Sequence, residues 1–387
     1  MNFKDRIKAL EPELISLRRD FHRHPELGFQ EFRTQEKIIC FLKELGLSPE
    51  KTAGTGVTTL IQGARPGPAV LLRADMDALP VQENTGLDFA SQTPGVMHAC
   101  GHDGHMAMLL VAARVLTEIR DHINGSIRLV FQPNEEEAGA YKVIEEGVMA
   151  EPEVTAAFGL HLWSQVPSGC VDIVTGPQMA ASHYFYLTIK GRGGHAGFAH
   201  ESVDPIYAAT QVIQGVQAIQ TRETDALNPL VIMFTQFHAG SNMTIIPETV
   251  EIKGSIRFLY EGGEKALDRF KNLVALLCQA HQVDHDLRFE TGNALLANDP
   301  SITGKIRQAA GKVLQDPSKV TANIRTMAGE DFSDYLQHAP GAFAFLGSCN
   351  PDAGSHYPHH HPMFTIDEGV LGSGAELYVC AALELLR

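Results

Sequence analysis

The sequence predicts an α/β protein with a mostly parallel sheet flanked by helices, into which a smaller ferredoxin-like α+β domain is inserted. Helical and strand patterns alternate in the first part of the chain and again near its end, as in a parallel sheet covered by helices. Between these parts, about 110 residues follow the order βαββαβ, which is the order of the ferredoxin-like unit. We therefore expect residues 1–181 and 294–387 to form one domain and residues 182–293 to form the inserted one.

The larger domain is predicted from short β-rich runs, bounded by Gly and Pro, that alternate with amphipathic helical patterns. Because helices separate most of these strands, we expect the strands to run parallel. The predicted strands are Val57–Gly63, Ala69–Asp75, Ser126–Gln132, Thr155–His161 and Gly341–Gly347. The predicted helices cover residues 5–24, 34–45, 103–120, 141–149, 301–315 and 367–387.

The inserted domain begins its first helix with Asp204 as the N-cap and Pro205 at the first helical position. Proline is well tolerated there because that N–H has no partner within the helix. This helix is expected to continue to about residue 223, with the period-2 alternation of strands before and after it. The other predicted elements are the strands His183–Gly191, Pro229–Gly240, Thr249–Tyr260 and Val283–Gly292 and the helix Glu264–Gln282.

Composition excludes several classes of protein. The chain of 387 residues is 44% hydrophobic and 20% charged, which is typical of a folded globular protein. Its formal net charge of −15 disfavours nucleic acid and anionic membranes as partners. The charged first residues do not resemble a signal peptide, no apolar run is long enough to cross a bilayer, and the cysteines form no CxxC pair. We therefore expect a cytoplasmic protein with reduced thiols.

Residues 98–105, with the sequence HACGHDGH, are the strongest candidate for a functional site. Three histidines, one cysteine and one aspartate within eight residues suit a soft or borderline divalent cation. Two other interpretations stay open. Asp103 could be the N-cap of the helix that follows, or Cys100 could be a nucleophile activated by a neighbouring histidine.

Two segments rich in carboxylates follow predicted strands. Residues 71–77 (LLRADMD) contain Asp75 and Asp77, and residues 131–137 (FQPNEEE) end in three glutamates. A solvated turn or an acidic surface would explain either segment alone. Because ligands bind outside the carboxyl ends of strands in open α/β sheets, we expect both segments to face one crevice. Of two adjacent glutamates, one can bind an ion while the next stays free as a base.

Further histidines lie at His161, which ends a predicted strand, and in residues 356–362, with the sequence HYPHHHP. A lone histidine at the end of a strand is more often structural, and a histidine-rich tract can be a surface metal scavenger. Together with the other segments, both become candidates for the same metal site.

The motifs together resemble the dinuclear-metal aminoacylase and amidohydrolase family, which includes hippurate hydrolases, indoleacetyl-amino-acid hydrolases and N-acetyl-diaminopimelate deacetylases. The resemblance covers essentially the whole chain, from residues 23–28 (RHPELG) to residues 361–364 (HPMF). It implies a zinc-peptidase-like catalytic domain with an inserted domain for the lid and dimer contacts. It also implies two divalent metal ions per subunit, manganese or zinc, with cobalt and nickel as alternatives.

The same resemblance implies a set of metal ligands. Cys100 would bridge the two ions. His102 and His161 would complete the ligands of one ion, and Glu136 and His360 those of the other. Of the neighbouring histidines, His360 is chosen because it stands two residues before Pro362.

Roles for four other residues follow from the resemblance. Glu135 would be the general base, and Asp77 would orient the metal site. His195, within residues 193–196 (GGHA), would contact substrate from the lid and reach the site of a partner subunit, and Arg257 would bind a substrate carboxylate. Glu330 also matches a family motif.

Two residues depart from the family pattern. Ala199 stands where proline is usual, and Thr244 stands where asparagine is usual. Both departures spare the metal site and affect the expected details of the lid and the substrate class.

The implied function is hydrolysis of the amide bond of an N-acyl amino acid or related small amide by metal-activated water, in a homodimer or higher homo-oligomer. Two alternatives are a non-catalytic metal-binding or ligand-sensing homologue and a Cys-His thiol hydrolase. Glu135 beside Glu136 argues against the first, because a storage site needs no spare base.

Overall fold

The computed structural model describes residues 3–387, which divide into two compact units. The larger unit comprises the chain up to Gln178 together with Ala297–Arg325 and Glu330–Arg387. The smaller unit comprises Met179–Leu296 and Thr326–Gly329. Among the described residues, no helix combines the length and the apolar character that a membrane span requires.

Each predicted helix and strand corresponds to an element of the structure, and several short elements were not predicted. The helices within residues 3–387 are α1 (Phe3–Arg23), α2 (Phe32–Glu44), α3 (His102–Glu118), α4 (Ala140–Glu145), α5 (Pro205–Ala218), α6 (Lys265–Ala280), α7 (Pro300–Leu314), α8 (Phe332–Tyr335) and α9 (Leu371–Leu385). The strands are β1 (Glu50–Thr52), β2 (Gly56–Gln62), β3 (Arg65–Asp75), β4 (Asn124–Gln132), β5 (Val154–Pro167), β6 (Val171–Asp172), β7 (Gly176–Met179), β8 (Ala181–Lys190), β9 (Gly194–His195), β10 (Leu230–Ala239), β11 (Ile245–Ile246), β12 (Thr249–Phe258), β13 (Asp284–Thr291), β14 (Leu296–Asn298), β15 (Val320–Thr321) and β16 (Gly341–Cys349).

The larger unit is built on an eight-stranded sheet in the order β1-β2-β4-β3-β5-β16-β6-β15. The four central strands, β4, β3, β5 and β16, run parallel, as the sequence predicts. On one side β1 and β2 are antiparallel, and on the other β6 is antiparallel to β16. The β1–β2 connection is only residues 53–55, and so short a link can join antiparallel strands but not parallel ones. The sheet is therefore mixed at its edges.

Helix α3 lies in the main core of the larger unit and begins at His102. Its apolar residues are buried on all sides, as expected of a helix covered by other elements. It packs against α1, α9 and the central strands β3 and β5. Arg114 interrupts its apolar run, and this side chain donates a hydrogen bond to Glu13 at 2.8 Å. Burial of the helix therefore fixes the position of the histidine at its first turn.

The smaller unit has a four-stranded antiparallel sheet in the order β10-β12-β8-β13. With helices α5 and α6, its elements follow the order βαββαβ along the chain. The two helices pack on the sheet around a core that includes Phe185, Val212, Phe270 and Cys278. The sequence predicts this α+β arrangement.

Candidate metal centre

The carboxyl ends of the central strands carry most of the candidate residues. Strand β3 ends at Asp75, and β4 ends at Gln132 just before the glutamate run. His161 lies two residues beyond Gly159, the last residue of β5 that pairs with β3. The predicted end of β5 at His161 is wrong, because its pairing with β16 continues to Pro167. His161 nevertheless lies at the edge where β3 ends.

The first cluster joins Cys100, His102 and His161. One potential ligand atom from each residue lies within 4.8 Å of the others, and all three side chains are buried. The Sγ atom of Cys100 is 3.4 Å from Nε2 of His161. His102 comes from the first turn of α3, so a helix and a strand contribute to the same cluster.

A second cluster joins Cys100, Glu136 and His360, again with one ligand atom from each within 4.8 Å of the others. Oε1 of Glu136 and Nε2 of His360 are 3.3 Å apart. The backbone of His360 has φ 65° and donates its N–H to the carbonyl oxygen of Ala99 at 2.8 Å. Cys100 thus belongs to both clusters.

The donor atoms fit a pair of divalent cations. Nε2 of His102 is buried and has no hydrogen-bond partner among the described residues. Buried polar atoms are normally satisfied, so this nitrogen calls for a ligand. Burial lowers the pKa of His102, but the carboxylates of Asp75, Asp77 and Glu136 outweigh it and raise that pKa to about 10. The same negative field favours a bound cation, and thiolate, imidazole and carboxylate together suit a divalent metal ion.

Asp77 connects the two clusters. Its carbonyl oxygen accepts a hydrogen bond from Nδ1 of His102 at 2.9 Å, and its Oδ2 accepts one from the backbone N–H of Glu136 at 3.0 Å. The bond at Nδ1 leaves the Nε2 lone pair of neutral His102 free for a metal. Asp77 is only 2% exposed, so these contacts lie away from solvent.

Glu135 stands beside the ligand clusters on a short 3₁₀ turn that spans Glu135–Glu137. Its Oε2 is 3.9 Å from Nε2 of His102. Burial, with the neighbouring carboxylates of Glu330 and Glu136, raises the pKa of Glu135 well above its ordinary value. A buried carboxyl that favours the protonated form is suited to taking up a proton.

A buried hydrogen-bond and ion-pair network surrounds Arg73 and was not predicted from the sequence. An arginine within the apolar run of β3 is expected to have buried partners. This feature of the sequence could have predicted the network. The Arg73 side chain is 1% exposed and contacts residues from three separate segments. Its donors reach Oε1 of Gln132 at 2.9 Å, Oδ2 of Asp75 at 2.6 Å, Oδ1 of Asp331 at 2.8 Å and Oε1 of Glu330 at 3.0 Å.

His105 was also missed as a supporting residue. Its Nδ1 donates to Oδ1 of Asp75 at 2.6 Å, and its Nε2 accepts the backbone N–H of Leu162 at 2.8 Å. Both ring nitrogens are therefore used, and His105 is not free to bind a metal. It instead fixes the backbone next to His161.

Asp103 is not the N-cap of α3. Gly101 occupies that position, and Asp103 lies in the first turn. Its Oδ2 accepts hydrogen bonds from Nε of Arg18 at 2.9 Å and Nδ1 of His22 at 2.8 Å. Burial opposes the charge, but Arg18 and His22 hold the pKa of Asp103 well below its ordinary value. This buried ion pair attaches the start of α3 to α1.

The other histidines of the tract at residues 356–362 have different contacts. Nε2 of His359 donates to the carbonyl oxygen of Leu162 at 3.0 Å, and burial lowers the pKa of His359 to about 4. Nδ1 of His361 accepts the N–H of Met363 at 3.0 Å. Neither belongs to the two clusters.

A thiol nucleophile is disfavoured by the surroundings of Cys100. Burial and the carboxylates of Glu136, Glu135 and Asp75 raise the pKa of Cys100 well above its ordinary value. Burial also holds the pKa of His161 well below its usual range. A reactive cysteine needs a positive environment that stabilises the thiolate, and these side chains provide the opposite.

The two expected substrate residues lie in the smaller unit. His195 is exposed, and its Nδ1 accepts the N–H of Gly197 at 3.0 Å. Arg257 donates from Nη1 to the carbonyl oxygen of Met327 at 2.8 Å. The residue at position 244 accepts the N–H of Ala196 at 2.9 Å through its backbone carbonyl, so this bond does not depend on whether the residue is threonine or asparagine.

Two clusters that could each hold a metal ion therefore lie beside the buried carboxyl of Glu135, an arrangement typical of a metal-dependent hydrolase. The chain belongs to Peptidase family M20/M25/M40, whose pattern matches residues 71–384. It is a metal-dependent amidohydrolase.

The chain is similar to several known proteins along nearly its whole length. It is 43% identical to an N-acetyl-L-cysteine deacetylase of Bacillus subtilis, over 94% of this chain and 85% of that protein. It is 39% identical to thermostable carboxypeptidase 1 of Saccharolobus solfataricus, over 98% of this chain and 97% of that protein. Among solved structures, the YXEP protein of Bacillus subtilis, described as a dinuclear metal binding peptidase of the M20 family, is 33% identical. It has a TM-score of 0.86 and covers 98% of this chain and 99% of its own.

Proposed function

We propose that this protein hydrolyses the amide bond of N-acyl amino acids or related small amides in a site that holds two divalent cations. The observation that carries the proposal is that Cys100 belongs to both ligand clusters. A thiolate shared in this way would hold two cations close together. A deacetylase of an N-acetylated amino acid and a carboxypeptidase among the relatives support a substrate with an amide next to a carboxylate.

The proposed ligands divide into two sets. His102 and His161 would bind one cation, Glu136 and His360 would bind the other, and Cys100 would bridge them. When bound, the two cations supply Lewis acidity that activates water and polarises the amide carbonyl. Zinc and manganese suit these donors best, with cobalt and nickel as alternatives.

Glu135 is the proposed general base. Its carboxylate would take a proton from the attacking water and deliver it to the leaving amine nitrogen. Its buried position and raised pKa support this role, because a carboxylate with a raised pKa is a stronger base towards the proton of water.

His195 and Arg257 are proposed to act on the substrate. The contact of Nδ1 of His195 with Gly197 leaves Nε2 available as a donor to a developing oxyanion. The guanidinium of Arg257 would pair with the substrate carboxylate through charge-assisted hydrogen bonds.

A homodimer is proposed through the smaller unit, where edge strand β10 exposes Met233 and Phe237. The cytoplasmic location remains a prediction from the sequence.

A substrate panel tests the proposal. Acetyl-, benzoyl- and indoleacetyl-amino acids would be assayed with zinc or manganese, then with chelator, and again after the metal is restored. We expect turnover that the chelator abolishes and the metal restores. Bound metal without turnover on any of these amides would instead favour a non-catalytic metal-binding protein. Activity that survives chelator but is lost on alkylation would favour thiol chemistry.

A further inference from the structure

The loop that carries the proposed base and one proposed ligand is held by buried carboxylates. Three backbone N–H groups between residues 134 and 140 donate to side chains from separate parts of the larger unit. Each hydrogen bond ties the loop backbone to a side chain from a different segment, so the three together fix the course of the loop. The pairs are Asn134 with Glu31 at 3.0 Å, Glu136 with Asp77 at 3.0 Å and Ala140 with Asp331 at 2.9 Å.

Asn134 starts this loop in a left-handed conformation, with φ 57° and ψ 44°. Side chains rarely adopt this region, although asparagine tolerates it better than most. Gly28 leaves room for the Asn134 side chain, because a Cβ at Gly28 would lie 1.8 Å from its Oδ1. The backbone and side chain of Asn134 are thus both constrained by the segment of residues 28–31.

Glu31 is an unusual residue to find at this position. It is fully buried, and within residues 3–387 no cationic side chain forms an ion pair with it. Its Oε1 accepts the N–H of Asn134, and its Oε2 accepts the hydroxyl of Thr55 at 2.5 Å. Burying a carboxylate without a cation is unfavourable for folding. The presence of Glu31 is therefore best explained by the hydrogen bonds that it accepts from Asn134 and Thr55.

We infer that Glu31 is a positioning residue for the catalytic loop, because it fixes Asn134 in the left-handed conformation that directs the next two side chains. The inference rests on the proposed roles of Glu135 as base and Glu136 as metal ligand. Glu31 acts through the backbone of Asn134, whose N–H it accepts.

Two substitutions at Glu31 separate this role from general stability. Glu31→Ala removes the acceptor, and displacement of the loop should lower kcat by about ten- to a hundredfold while KM changes little. Affinity for one of the two metal ions should fall by about tenfold, because Glu136 lies on the same loop. Glu31→Gln keeps a carbonyl oxygen that can accept the N–H of Asn134, so it should restore most of both losses.

Asp172→Ala is the matched control. Asp172 is also buried and accepts backbone N–H groups, from Asn323 at 2.8 Å and Ile324 at 3.0 Å, but these lie outside the metal clusters. This variant should lose stability while its kcat and metal affinities stay near those of the parent protein. If it lost kcat and metal affinity as Glu31→Ala does, the effect at Glu31 would be general destabilisation and the inference would be wrong.

Other outcomes also decide the inference. A folded Glu31→Ala protein with unchanged kcat and metal affinity would overturn it, as would a Glu31→Gln protein impaired as strongly as Glu31→Ala.

If Glu31→Ala does not fold, Gly28→Ala tests the same loop, since its new methyl group displaces Asn134 and should lower kcat. Normal kcat in a folded Gly28→Ala protein would then overturn the inference. Glu135→Gln, assayed in parallel, tests the proposed function. Full activity of this variant would contradict the proposed function as a whole, and not only the role of Glu31.

Discussion

The backbone N–H of Glu136 donates to Oδ2 of Asp77 at 3.0 Å. The carbonyl oxygen of the same aspartate accepts from Nδ1 of His102 at 2.9 Å. One residue therefore orients a member of each ligand cluster, and its position at the carboxyl end of β3 explains why the clusters lie beside each other.

Replacing Asp77 should weaken metal binding. Asp77→Ala removes the acceptor for Glu136, and loss of such support around a metal site typically lowers affinity by about 10- to 100-fold. Asp77→Asn keeps one oxygen that can accept the Glu136 N–H, so it should lose less. Metal titration of both variants measures the difference, and equal affinity in parent and Ala variant would rule out the orienting role.

Cys100→Ala should reduce the bound metal from two ions per chain to one or none. The thiolate is the only donor proposed to be shared, so its removal separates the two sets of ligands. Elemental analysis after dialysis measures the stoichiometry. Cys278→Ala removes another buried thiol, in the smaller unit, and should keep both ions. Two tightly bound ions in the Cys100 variant would exclude the bridge.

Arg73→Met should strongly destabilise the larger unit. The guanidinium pairs with buried carboxylates, and its removal leaves charges without a partner in the core, which typically costs about 3–5 kcal/mol. Arg6→Ala breaks a half-exposed pair with Glu118 and should cost less than about 1 kcal/mol. Denaturant unfolding gives both values. A similar loss in the two variants would contradict the importance of the buried network.

Glu31 should make stability depend on pH. Burial raises the pKa of Glu31 from the usual 4.5 to about 7. A carboxyl with a raised pKa in the folded state contributes stability that is full below pH 4.5 and is lost as the pH rises through about 7. Relative to Glu31→Gln, the parent protein should therefore lose about 3 kcal/mol between these limits. The free energy of unfolding of both proteins, measured from pH 4.5 to 8, checks this, and a constant difference would contradict it.

Most of the metal ligands could be proposed from the sequence because they stand in short, recognisable motifs, whereas His161 is a lone histidine at the edge of the sheet. Cys100 and His102 are two residues apart, and Glu136 lies four residues after the end of β4 at Gln132. The topology of the sheet then explains why these motifs meet, since parallel strands bring their carboxyl ends to one edge.

The supporting residues were harder to predict because their partners lie far away in the chain. Arg73 and Asp331 are separated by 258 positions, and Arg18 and Asp103 by 85. A local pattern can show that a buried charge needs a partner, but it cannot say which residue supplies it. The length of β5 was missed for a related reason, because pairing with β16 extends it beyond the apolar run.

The most direct test of the proposed mechanism is Glu135→Gln, assayed together with its metal content. The amide has nearly the shape of the carboxyl but cannot accept the proton of the attacking water. We expect two ions per chain and a kcat about 10²- to 10⁴-fold below that of the parent protein. Metal-loaded Glu135→Gln protein with full turnover would contradict the assignment of the general base and the mechanism built on it.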